Sequence, residues 1–122
     1  MNIEKITENG IEIAVITGEE KVITDVQSAL DLAMTVKYKA GTGNIAIDKK
    51  LVCEDFFILS TGLAGEILQK FINYNVRFAV YGDYSKYTSK PLRDFIYESN
   101  NGKDFFFVNS RNEALEKLGG NI

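Results

Sequence analysis

The sequence predicts one α/β domain, with a mixed, mostly parallel sheet of about five strands and four helices in the order ββαβαβαβα. Three observations predict it. Asn9-Gly10 separates two strand-like runs, Ile3 to Thr7 and Ile11 to Thr17, and this dipeptide tolerates the positive φ angles of a tight hairpin. After the hairpin, short apolar runs alternate with helix-period segments over short connections, which forces crossovers and therefore parallel strands. No linker, repeat or low-complexity tract interrupts residues 1–122, so a single domain is expected.

Each element has its own signal. Ile11, Ile13 and Val15 alternate with Glu12, Ala14 and Ile16, so the second strand is apolar on both faces and belongs inside the sheet. The first run becomes an antiparallel edge. Thr24 to about Lys39 reads as a helix, with Thr24 and Gln27 as a capping box and Val26, Ala29, Leu30, Ala33 and Met34 on one face. Gly41-Thr42-Gly43 ends it, and Ile45-Ala46-Ile47 is a short buried strand followed by a loop through Cys53 to Leu59. Thr61 to Tyr74 is the second helix, with a broad stripe of Leu63, Ala64, Ile67, Leu68, Phe71 and Ile72. Val76 to Tyr81 is a strand closed by Gly82-Asp83. Ser89 caps a third helix with Pro91 in its first turn, where a missing N–H is tolerated, and Asn101-Gly102 ends it. Asp104 to Val108 is the last strand, and Ser110 with Glu113 opens a final helix that stops at Gly119-Gly120.

Composition narrows the function. A net charge of -3 and a pI near 5.0 argue against a phosphate-backbone binder, so no nucleic-acid partner is expected. The chain has no histidine, which excludes Ser-His-Asp and Cys-His chemistry and the commonest metal ligand. Its single cysteine, Cys53, forbids an internal disulfide and suits a reducing compartment. The start, Met1-Asn2-Ile3-Glu4-Lys5, lacks a signal-peptide pattern, and no apolar run reaches the ~20 residues of a membrane span. A cytoplasmic protein without a membrane partner is expected.

Two resemblances converge on Phe57 to Leu68. Thr-Gly-Leu-Ala-Gly-Glu-Ile-Leu-Gln-Lys-Phe (61 to 71) and Leu92-Arg93-Asp94-Phe95-Ile96-Tyr97-Glu98-Ser99-Asn100 resemble a family of small bacterial proteins of unknown function, the family numbered four-one-eight-zero. That resemblance covers most of the chain and implies no activity. Ser60-Thr61-Gly62-Leu63, after a short strand and loop, is similar to the Ser-Ser-Gly-Leu signature of STAS domains, the anti-sigma-factor antagonist class. The order of strands and helices fits that class too. The resemblance implies a STAS-like fold and a phosphorylated hydroxyl at the start of the second helix, which by position is Thr61. Where the antagonists usually carry Asp before the two hydroxyls, this chain has Leu59.

The candidate residues gather at one predicted end of the sheet. Ser60, Thr61 and Gly62 open a helix, where free N–H groups and the helix dipole can hold an anion. A simple hydroxyl cap is the commoner use of such residues. The segment Tyr81 to Lys90 places Asp83, Tyr84, Lys86 and Tyr87 beyond the carboxyl end of a parallel strand, where open α/β sheets bind ligands. Those tyrosines could equally pack on the neighbouring helix. Asp48, Glu54 and Asp55 lack a regular metal-ligand spacing and read as solvated loop charge, so no metal is assigned. Cys53, beside Glu54 and Asp55, reads as an apolar filler, and Gly41-Thr42-Gly43 runs from helix to strand, the wrong direction for a dinucleotide turn.

The expected function is a regulatory or protein-interaction domain, phospho-switched at the start of the second helix, with an unidentified protein partner. The alternative is a module for a small anionic metabolite. An enzyme using Asp55, Tyr84 or Lys86 ranks third, because no matched acid–base pair stands out. No cofactor is expected, and self-association is left open.

Overall fold

A computed structural model describes residues 1–120. The chain opens with two strands, β1 (Asn2–Glu8) and β2 (Ile11–Thr17), paired antiparallel. Asn9 and Gly10 between them have φ of 53° and 80°, the two consecutive left-handed residues that a tight hairpin needs. There follow α1 (Val26–Ala40), β3 (Asn44–Asp48), α2 (Leu63–Asn73), β4 (Arg77–Tyr81), α3 (Lys90–Asn100), β5 (Phe105–Val108) and α4 (Arg111–Leu118). The sheet order is β1-β2-β3-β4-β5, and every pair after the first is parallel. This is the expected mixed sheet with four helices, and β1 is the expected antiparallel edge.

Strand order follows chain order, so α1, α2 and α3 all lie on one face, as crossovers of a single hand require. Ala14, Ile16, Ile45, Ile47, Phe78 and Val80 point into that layer. The residues between them, Ile13, Val15, Ala46 and Ala79, point the other way and meet Ala114, Leu115 and Leu118 of α4. The period of two in each strand thus divides its apolar residues between two cores. No helix among the described residues is long and apolar enough to cross a membrane.

Three details of the helices differ from the sequence reading. The N-cap of α1 is Asp25, not Thr24: its carboxylate accepts from Ser28 N at 2.8 Å, and Ser28 Oγ accepts from Asp25 N at 3.0 Å. Gln27 instead donates to Asp31 along the helix. The buried face of α1 is Ala29, Leu32, Ala33, Val36 and Ala40, while Met34 is 42% exposed. Small residues let α1 approach closely, so the face turned inward is the alanine-rich one. In α2 the inward stripe is Ala64, Ile67, Leu68 and Phe71; Ile72, a further 100° around, is exposed. The loop from Lys49 to Gly62 is also not irregular. It holds three 3-10 turns, Lys49–Leu51, Glu54–Phe57 and Leu59–Thr61.

The second edge strand, β5, is guarded by a side chain. Asn100, at the end of α3, donates to Phe107 O at 2.9 Å and accepts from Phe107 N at 2.7 Å. It replaces a neighbouring strand at that position, which blunts the edge. Replacing Asn100 with Ala strips both backbone partners at once. The expected cost is about 2 kcal/mol in urea denaturation, with concentration-dependent self-association by light scattering. Unchanged stability would show that the amide does not protect the edge.

Candidate functional site

All four parallel strands end at one rim, and three of the loops leaving them are laced together. Ile23, after β2, bridges to Val52, after β3: Ile23 N donates to Leu51 O at 3.1 Å and Cys53 N to Ile23 O at 2.9 Å. Asp48 closes β3 by accepting from Lys50 N at 3.0 Å, which starts the first 3-10 turn. The next turn places Phe56 and Phe57 inward, both buried. Phe57 then meets the loop after β4, stacking on Tyr87 at 5.4 Å and presenting an edge to Tyr84 at 5.9 Å.

The β4–α3 loop is shaped by its own polar groups. Asp83 accepts from Ser85 N at 2.8 Å, turning the chain. The Tyr84 hydroxyl reaches back and donates to Val80 O at 2.8 Å, and Ser89 caps α3 as expected.

Lys49 lies at the centre of this rim. Its side chain is only 12% exposed. Its ammonium lies over three rings, 4.7 Å from the Tyr87 centroid, 5.1 Å from Phe57 and 5.9 Å from Tyr84. Glu54 stands 3.7 Å from the same ammonium, 3.3 Å from Lys86, and accepts from the Tyr87 hydroxyl at 2.9 Å. The stem of Lys49 lies so close to Gly82 that a Cβ there would sit 2.6 Å from Lys49 Cβ. Glycine is required at that position by close approach.

The electrostatics of the cluster follow from its burial. Burial pulls the Lys49 amine below its ordinary value, helped by the charges of Lys86 and Lys21 and opposed by Glu54. Burial pushes Glu54 up, but the hydrogen bonds from Tyr87 and Lys86 and the charges of Lys49 and Lys86 outweigh it and hold the carboxyl low. Burial raises both phenols; Tyr87 and Asp48 push Tyr84 further, and Glu54 pushes Tyr87 further. Neither tyrosine can act as a base near neutral pH.

Two concavities flank the tyrosine loop. On one side is a cleft of about 380 Å3, where Lys21, Lys49, Lys50 and Lys86 face Asp48, Glu54 and Asp83. On the other, Tyr84 and Tyr87 share a groove of about 420 Å3 with Arg93, Ile96 and Tyr97 of α3.

Among the residues singled out from sequence, Asp83, Tyr84, Lys86 and Tyr87 come together around Lys49. Ser60, Thr61 and Gly62 are exposed on the turn before α2. Gly62, with φ of 77°, is the helix N-cap, so the helix starts later than expected. The Thr61 hydroxyl lies 2.8 Å from Asp55 O and 2.9 Å from Ile58 O as donor, and accepts from Leu63 N at 3.2 Å. It is thus tied to the turn that carries Phe57, at the same rim but outside the lysine cleft. Cys53 is partly exposed, with its thiol toward Thr24 O at 3.7 Å, so it is less of a core filler than expected. Sequence reasoning missed Lys49, Phe57 and the pairing role of Glu54. The available signal was Phe56-Phe57, two large apolar residues within a charged loop.

Two outcomes test this geometry. Gly82→Ala is expected to cost about 1–3 kcal/mol in chemical denaturation, because the Lys49 stem must move; a neutral change would show the contact is easily relaxed. Glu54 has a folded value below its ordinary 4.5, so its contribution is present above that pH and lost as pH falls through the depressed value. Acidification from roughly pH 6 to pH 3 should therefore destabilise the wild type more than Glu54→Gln. Parallel pH slopes for the two proteins would contradict it.

No curated protein sequence matches this chain. Among solved structures, a Thermotoga maritima protein assigned as an anti-sigma factor antagonist is similar at 13% identity and a TM-score of 0.46, over 95% of this chain and 93% of that one. A family model matches residues 8–118, and the chain belongs to that family, described as a domain of unknown function, DUF4180.

Proposed function

We propose that this chain is a non-catalytic regulatory domain that binds a protein partner at the carboxyl rim of its sheet. The observation that carries the reading is the turn before α2. Ile58 is 49% exposed there, beside exposed Ser60, Thr61 and Gly62. A large apolar side chain next to exposed hydroxyl residues and a bare backbone is the mixture of an interface core and its polar edge. The tyrosine loop borders the same rim, and tyrosine supplies rigid contact area with a polar tip.

The wiring of Thr61 supports a switch. Its hydroxyl donates toward two carbonyls and accepts one N–H. A phosphate at that oxygen removes the donor and sets nearly two negative charges against the carbonyls of Asp55 and Ile58. The turn must then rearrange, and Ile58 with it. The titratable groups nearby support binding over catalysis: Glu54 is held low by its partners, and Tyr84 and Tyr87 are held high by burial.

A small anionic ligand at the same rim is the second reading. The observation favouring it is the lysine excess in the cleft between the β3 and β4 loops.

The protein reading is tested by quantitative affinity capture with wild type, Ile58→Asp and Thr61→Glu as baits, each first shown to be folded by circular dichroism. Partners retained by wild type are expected to fall by at least about tenfold with either variant, since a buried apolar anchor or an inserted charge is worth ~1.4 kcal/mol or more. Equal recovery across all three baits overturns the proposal. Loss with Ile58→Asp alone leaves the surface standing and removes the switch.

A further inference from the structure

We propose that the lysine cleft binds a small phosphate monoester, with Lys49 as the fixed anchor and Lys86 as the mobile one. The inference rests on the anionic-ligand reading and gives it a place, a chemical class and named groups.

The chain as a whole carries a net charge of -3, yet four lysines surround one cleft of about 380 Å3. Two of them have partners of their own: Lys50 pairs with Glu19 at 3.9 Å, and Lys21 donates to Val52 O at 3.3 Å. Asp48 is turned to Lys50 N and Asp83 to Ser85 N, both capping backbone. Glu54 is left to serve Lys49 and Lys86 together, at 3.7 and 3.3 Å. Lys49 and Lys86 therefore share one carboxylate at ion-pair distance. Burial, with the charges of Lys86 and Lys21, holds the Lys49 amine below its ordinary value despite Glu54. A bound anion favours the ammonium form.

Lys49 is also pre-organised. A surface lysine ordinarily keeps its rotamer freedom, and losing it opposes binding. Here three rings and the close pass over Gly82 already fix the stem and the ammonium. Lys86 is different: its side chain is 62% exposed, and its ammonium can leave Glu54 for a ligand without disturbing the core.

The class of anion follows from the donors. A planar carboxylate is best matched by the flat fork of arginine, and among the described residues no arginine lines the cleft. Lysines are point charges. They suit a tetrahedral dianion whose oxygens diverge toward several of them at once. The position also fits, since ligands of open α/β sheets lie beyond the carboxyl ends of the strands. The remaining volume leaves room for the body of a small ester.

The test is amide-resolved NMR titration of the full chain at near-physiological salt, with glycerol 3-phosphate, a phosphothreonine peptide and citrate as separate probes. Glycerol 3-phosphate is expected to give saturable shifts at residues 49–50 and 82–86, weaker below about pH 6, where the phosphate loses one charge. Lys86→Ala should weaken binding about tenfold, and Glu54→Gln should strengthen it severalfold by removing the competing carboxylate. Lys49→Met should abolish it; should that variant fail to fold, Lys86→Ala and Glu54→Gln still decide the matter. Tighter binding of the peptide would overturn the small-molecule source. Saturable binding of citrate alone would overturn the phosphate class while leaving the anionic reading intact. No saturable shift with any probe would end both. Glycerol 3-phosphate binding unaffected by Lys86→Ala and Glu54→Gln would place the ligand elsewhere and overturn the site.

Discussion

Three successive crossovers of one hand set almost everything else in this molecule. Because strand order equals chain order from β2 to β5, each connection adds its helix to the same face. The loops that leave β2, β3 and β4 must then emerge side by side at one rim. The fourth helix, after β5, makes no crossover among the described residues and covers the opposite face. Arg77 holds it there, donating to Leu118 O at 2.8 Å from the far pole of the sheet. The rim is thus a product of topology before any side chain is considered.

What fills the rim is a lysine that contributes little to stability. Three ring contacts at this partly exposed site are each worth about 0.5–1 kcal/mol. A pair with Glu54, itself 51% exposed, is screened to less than about 1 kcal/mol. Against these stand the desolvation of the ammonium and the lost freedom of a four-carbon stem, about 2 kcal/mol. The terms come close to cancelling. A methionine could fill the same space without the charge, so packing alone does not account for an ammonium there. The groups that hold it, Phe57, Tyr84 and Tyr87, belong to two separate loops, and the same tyrosines wall the groove along α3. The position of the Lys49 ammonium therefore reports the arrangement of both loops.

The architecture was legible in the sequence because it rests on local signals. Asn9-Gly10, Pro91 behind Ser89, and the alternation of Ile11 to Val15 each reflect a backbone or period-two constraint that needs no tertiary context. Helix faces were harder. In α1, both the Met34 side and the Leu32 side show helical spacing, and only the close packing of Ala29, Ala33 and Ala40 decides between them. The cap shifted by one residue because Asp25 and Ser28 form a reciprocal pair that outcompetes Thr24 and Gln27. The site was half legible. Tyr84, Lys86 and Tyr87 stand out as a biased cluster, whereas Lys49 looks like any loop lysine. Its burial depends on Phe57, 8 positions away, and on the missing Cβ of Gly82, 33 positions away.

The charge of the chain illustrates the same limit. An acidic total argues against a long anionic polymer, because such a partner needs a continuous basic stripe. It does not argue against a compact anion, since at physiological salt charges beyond about 8 Å are screened from one another. Within that radius the rim responds chiefly to its own lysines and carboxylates. The acidic residues that lower the pI and the basic ones that line the cleft can therefore serve separate ends. A net negative charge elsewhere on the surface opposes close approach of an extended anionic polymer. The four lysines of the cleft, one of them held by aromatic rings, set the local potential there.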